Sequence, residues 1–148
     1  MNTGPETLVI RAETAELARV VDWTDTLATT LNLPSSTLFA IQLCFEEAVS
    51  NVIRHGFPDG PDEAEVNKDV HLSVERRDDT VIITTADFAP AFDPLGVVPG
   101  PRPATIEEAV VGGNGIQLMR RFAQHLAYER RDGMNRLTLR FDLASSGT

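Results

Sequence analysis

At 148 residues, with a formal net charge of −9 and a single cysteine, the chain is about one domain long and holds neither an internal disulfide nor a cysteine-rich metal site. Hydrophobic residues make up 42% and charged residues 24%, the proportions of a globular protein, and no run nears the roughly 18 apolar residues of a membrane span. The acid excess argues against a nucleic-acid partner, because a phosphate backbone needs a basic face, and an N-terminus without the basic and apolar regions of a signal peptide sets a cytoplasmic address as the expectation.

Thr7 to Arg11 reads as a short strand. Thr14 is placed to cap a helix through about Leu31, with Leu17, Val20, Val21, Thr24, Leu27 and Leu31 on one face. Asn32-Leu33-Pro34-Ser35 breaks that pattern, and Ser35 or Ser36 caps a second helix to about His55. Its apolar stripe is Leu38, Ile41, Phe45, Ala48 and Val52, and Gly56 closes it. Cys44 lies within this apolar pattern and reads as a buried, inert thiol.

Phe57 to Lys68 is an acidic loop. It lacks the alternating ligands, central glycine and terminal glutamate of a calcium-binding EF-hand. Val70 to Val74 alternates as a strand, and Thr80 to Thr85 follows across an Asp78-Asp79 turn. The prolines between Pro90 and Pro103 exclude helix and central strand, leaving a long loop of a kind that is usually functional or disordered. Gly112-Gly113-Asn114-Gly115 opens a third helix to about His125. Ala127–Arg131 and Arg136–Leu143 make a closing hairpin around Asp132-Gly133. The six late arginines (Arg120, Arg121, Arg130, Arg131, Arg136, Arg140) read as a solvated helix and sheet edge. This order of elements predicts a single domain over residues 1–148, a two-layer α/β sandwich. Its sheet is mixed and mainly antiparallel, with three main helices on one face.

Three segments carry chemistry. In Glu46-Glu47-Ala48-Val49-Ser50-Asn51, Glu47 and Asn51 are four apart and project from one helix face. An asparagine oxygen suits Mg²⁺, and a carboxylate one turn earlier can orient or deprotonate a nucleophile beside it. Taken alone, the pair reads as solvent-facing. Asp87, at a strand end, can accept a hydrogen bond from the purine 6-amine that ATP offers and GTP does not; alone, Asp87-Phe88-Ala89-Pro90 reads as an ordinary turn. The glycines at 112, 113 and 115 let backbone approach a phosphate at a helix N-terminus, although no Gly-Lys-Ser/Thr follows and the loop is not a Walker A motif. His55, His71 and His125 are scattered, without the spacing of a helical zinc site.

Together these segments resemble the histidine-kinase-like (Bergerat) ATPase superfamily, and within it the anti-sigma-factor serine/threonine kinases. The resemblance runs from Glu47-Ala48-Val49-Ser50-Asn51-Val52-Ile53-Arg54-His55, through Asp87 and Phe92-Asp93-Pro94, to Gly112-Gly113-Asn114-Gly115-Ile116 and Tyr128-Glu129-Arg130. It implies ATP and Mg²⁺ as cofactors, Glu47 as catalytic base, Asn51 as the Mg²⁺ ligand and Asp87 as the adenine contact. It further implies a nucleotide site that includes Ala89, Phe92, Asn114 and Ile116, under a lid built on Gly112, Gly113 and Gly115. Ala89 departs from the pattern, which has glycine there. The partners implied are a STAS-type antagonist, phosphorylated on serine or threonine, and a sigma factor or partner-switching equivalent. A second copy of the chain is among the implied assemblies, while nucleic acid and membrane are not. Two other readings compete: a non-catalytic nucleotide-sensing module that binds protein, and an ATP hydrolase that drives a lid or dimer motion.

Overall fold

The computed structural model of the chain describes residues 4–56, 67–91 and 115–143. In chain order they form β1 (Glu6–Arg11), α1 (Leu17–Thr30), α2 (Ser35–Asn51), β2 (Asp69–Arg77), β3 (Thr80–Asp87), α3 (Gly115–Phe122), β4 (His125–Arg131) and β5 (Met134–Asp142). The five strands make one sheet in the order β1-β2-β3-β5-β4, and every pairing among them is antiparallel. The period of two along each strand decides what the sheet buries. Val70, Leu72 and Val74 of β2, Val81 and Ile83 of β3, and Leu137, Leu139 and Phe141 of β5 are all buried. They meet Val20 and Leu27 of α1, Ile41, Phe45 and Val49 of α2, and Met119 of α3 in one core. The architecture is the expected two-layer α/β sandwich.

Phe45 is fully buried and packs at a tilt against Trp23, ring centroids 6.0 Å apart. Burying such a ring contributes about 1.5–3 kcal/mol, enough to fix the α1–α2 pairing in register with the sheet. A polar staple adds specificity. Thr24, buried in α1, donates to the Val20 carbonyl at 2.8 Å and accepts from Gln42 Nε2 of α2 at 2.9 Å. Val21, expected on the buried face, is instead 45% exposed, because the buried stripe narrows to Val20, Thr24, Leu27 and Leu31. Val21 sits a further 100° round the helix.

The helix ends show where local chemistry and tertiary structure part. No side chain caps α1: Thr14 begins a 3-10 turn (Thr14–Glu16). The Glu16 carboxylate accepts from the Arg11 N–H at 3.2 Å and from the Arg19 guanidinium at 3.1 Å. Nor does Ser35 or Ser36 cap α2, since Pro34 holds the cap position and its carbonyl accepts from the Leu38 N–H at 3.0 Å. The end of α1 is a Schellman motif, with Asn32 left-handed at φ 53°, Leu33 N–H on the Ala28 carbonyl at 2.8 Å and Asn32 N–H on the Thr29 carbonyl at 3.3 Å. Arg76 of β2 then donates to the Leu31 and Asn32 carbonyls, both at 2.8 Å, and so ties this helix end to the sheet.

Of the second helix as read from sequence, α2 proper stops at Asn51 and the last turn, Val52–Gly56, is a wider π turn. The third helix starts no earlier than Gly115 within the described residues and stops at Phe122, short of the expected His125, because the β4 ladder takes the chain from His125 onward. The closing hairpin turns through Asp132 (φ 54°) and Gly133 (φ 76°), both left-handed, as an Asp-Gly hairpin turn requires. Expectations for the acidic loop at 57–66 and the proline-rich stretch at 92–114 fall outside the described residues.

Cys44 is buried, and burial, reinforced by the charge of Glu47, pushes its thiol up to about 12. At neutral pH it carries almost no thiolate. Native protein is expected to resist thiol alkylation at pH 7.5 and to take one label per chain in denaturant, as mass spectrometry would count.

Candidate functional site

The C-terminal half of α2, the end of β3 and the start of α3 carry the three chemical segments, and α2 packs against both of the other elements. Glu47 and Asn51 lie one turn apart on α2, both half-buried, whereas Glu46 is exposed and lines a groove between α1 and α2. Burial holds the Glu47 carboxyl above the usual carboxylate range; Arg54 opposes that shift and Glu46 adds to it. A carboxyl raised in this way is better matched to taking a proton near neutrality than an exposed one. Asn51 Oδ1 accepts from Arg54 Nη2 at 3.0 Å. It is a neutral, hard oxygen of the kind Mg²⁺ takes, and Arg54 would have to yield its hydrogen bond for the cation to use it. Among the described residues no group of three or more His, Cys, Asp and Glu forms a metal cage.

Asp87 is the last residue of β3 and 6% exposed. Its Oδ1 accepts from the Ala89 N–H at 3.0 Å and from Asn135 Nδ2 at 3.0 Å. Its second oxygen takes no hydrogen bond from the described residues. A buried carboxylate with one oxygen saturated and the other without a partner among the described residues is suited to accept from a further donor.

Ala89, where the sequence pattern has glycine, is 2% exposed, so its methyl group is packed inside the protein. Its backbone is not among the left-handed positions, which are Asn32, Asp78, Asp132 and Gly133 within the described residues. Alanine there brings no backbone strain.

Sequence reasoning missed the polar network behind Asp87. Asn135, buried at 6%, sits directly across from Asp87 in the β3–β5 ladder and across from Arg130 in the β4–β5 ladder. Its Nδ2 reaches Asp87 Oδ1 and the carbonyls of Ala89 (3.1 Å) and Pro90 (3.0 Å). Its Oδ1 accepts from the Tyr128 hydroxyl at 2.6 Å and Arg130 Nη1 at 3.2 Å. Arg130 also donates to the Ala89 carbonyl at 2.8 Å. A signal was present: the alternation of β5 puts Asn135 on the buried face with Leu137, Leu139 and Phe141, and a polar residue there must have partners. Of the other late arginines, Arg131, Arg136 and Arg140 make exposed ion pairs with Asp132, Glu129 and Asp142, as a solvated edge would.

Gly112, Gly113, Asn114 and Phe92 lie outside the described residues, and of Gly115 and Ile116 only the helical backbone is described. The structure therefore brings Asp87 and Ala89 together and sets Glu47 beside Asn51 on a helix packed against β3.

Residues 10–141 match the histidine kinase-like ATPase domain family. The serine/threonine-protein kinase BtrW of Bordetella bronchiseptica is 30% identical over 139 residues, covering 94% of each chain. No helix among the described residues is long and apolar enough to cross a membrane.

Proposed function

Because the chain belongs to the histidine kinase-like ATPase domain family, we propose that it is an ATP-dependent serine/threonine kinase of the anti-sigma type, which phosphorylates a STAS-type antagonist and binds a sigma factor or its partner-switching equivalent. Similarity to a serine/threonine kinase over almost the whole chain supports the reaction class. The observation that carries the catalytic part is Glu47, half-buried and raised by burial, one helical turn from Asn51.

In the proposed reaction the substrate hydroxyl oxygen bonds to the γ-phosphorus, and the bond from that phosphorus to the β–γ bridging oxygen breaks to release ADP. Glu47 takes the hydroxyl proton. Asp87 accepts from the adenine amine, and Asn51 holds Mg²⁺. Bound there, the cation would neutralise phosphate charge, a need made sharper by the chain's own net charge of −9. Ala89, Phe92, Gly112, Gly113, Asn114, Gly115 and Ile116 complete the nucleotide site in this reading, with the glycines as the lid over the phosphates.

Incubation with γ-labelled ATP, Mg²⁺ and a STAS-type protein tests the proposal: label on a serine or threonine of that protein supports it. Binding of ATP and of the STAS protein without transfer would favour the nucleotide-sensing module, and release of free phosphate alone would favour a hydrolase. Asn51→Ala should weaken Mg·ATP binding and transfer together, leaving Mg²⁺-free nucleotide binding nearly unchanged. Calorimetry with and without Mg²⁺ checks this, and equal losses in both conditions would remove the metal role.

A further inference from the structure

The amide of Asn135 is nearly symmetric in shape, and a half-turn about its last bond exchanges a donor for an acceptor. Turned one way it offers N–H to Asp87; turned the other it sets an oxygen against a carboxylate oxygen. The Tyr128 hydroxyl, 2.6 Å from Asn135 Oδ1, can donate or accept and so would tolerate either orientation. Arg130 cannot. A guanidinium only donates, and its Nη1 stands 3.2 Å from Asn135 Oδ1 while also donating to the Ala89 carbonyl at 2.8 Å. Arg130 on one side, and the Ala89 and Pro90 carbonyls, which only accept, on the other, set the oxygen of Asn135 towards β4 and its nitrogen towards Asp87. The Tyr128 hydroxyl is then fixed as a second donor to the same oxygen.

We infer that Tyr128 and Arg130 are positioning residues for base recognition: as the two donors that hold the oxygen of the Asn135 amide, they keep its nitrogen on Asp87 Oδ1, so that this oxygen stays consumed inside the protein and the other is left for the base. This rests on the reading of Asp87 as the acceptor of the base amine. Asn135 Nδ2 and the Ala89 N–H saturate Asp87 Oδ1, so the open oxygen keeps one direction and one character, acceptor only. A purine with an amino group at position 6 satisfies it; one with an oxygen there repels it. Arg130, Asn135 and Asp87 stand in one row across β4, β5 and β3, and the Ala89 carbonyl closes the ring back to Arg130. Specificity for the base is thus set in part by two side chains on an edge strand.

The test is calorimetry on the full chain with ADP, inosine diphosphate and tripolyphosphate, the last reporting the phosphate site alone. Wild type should bind ADP more tightly than inosine diphosphate. In the combined Tyr128→Phe, Arg130→Met variant that preference should fall by about 5- to 30-fold, the scale of a mispaired buried polar group, with tripolyphosphate affinity unchanged. If that variant fails to show a cooperative melting transition, Tyr128→Phe alone, which keeps the ring, should still lower the ratio by about 3-fold or more. A preference retained in a folded variant overturns the inference, and so does an equal loss for both nucleotides, which marks a merely structural role. No preference in wild type would instead overturn the reading of Asp87 itself.

Discussion

Glu47→Gln is expected to lose phosphate transfer by about 10²–10⁴-fold, the usual contribution of a general base, while keeping nucleotide affinity within about 2-fold. It should also melt at a higher temperature than wild type at pH 7.5. The sign follows from burial. The folded protein holds the Glu47 carboxyl above its ordinary value, so folding favours the protonated form. That contribution is complete below the unfolded value, about pH 4.3, and is lost as pH rises through the raised folded value. The glutamine variant carries no such loss, so its advantage should be present near neutrality and shrink towards pH 4. Labelled-phosphate transfer, nucleotide calorimetry and thermal melts at both pH values check the three parts. Normal transfer by the variant would remove Glu47 as the base. Glu46 would then be the next carboxyl to test, though it is exposed and turned towards the α1–α2 groove.

Asp87→Asn should weaken ADP binding by about 1–3 kcal/mol, or roughly 5- to 150-fold, while leaving tripolyphosphate binding unchanged. The cost arises because the new amide faces two donors, the Ala89 N–H and Asn135 Nδ2, with only one oxygen to offer. Either its nitrogen turns inward against those donors, or it turns outward and meets the base amine donor to donor. Discrimination against GDP should fall in step. Equal ADP affinity in the variant and wild type would show that Asp87 makes no base contact, and the preference for adenine would need another source.

The placement of the candidate residues was legible where its geometry is local. Glu47 and Asn51 share a face through the pitch of one helix, and the structure sets them one turn apart as the spacing required. The partner of Asn51 was not legible as such: Arg54 lies three residues on, yet its contact with Oδ1 depends on the side chain folding back along the helix end. Asp87 was placed at a strand end by alternation alone, while the donors that consume its Oδ1 were not. Ala89 departs from the resembled pattern, which has glycine there. The structure buries its methyl group and leaves its backbone in an ordinary conformation, a result set by packing around the turn.

The sequence by itself determined what depends on neighbours two to four residues apart. That covers the buried faces of β2, β3 and β5, the Ile41–Phe45–Ala48 stripe of α2, the inert Cys44 and the Asp132-Gly133 hairpin turn. Each follows from a fixed period or a left-handed turn that few residues tolerate. Only the tertiary structure decided the rest. Arg76 caps α1 from 45 residues away, Thr24 is satisfied through Gln42 of the next helix, and Asn135 meets Asp87 across 48 residues. Those partners are set by strand register and helix packing, which the hydrophobic pattern constrains to a face but not to a particular neighbour.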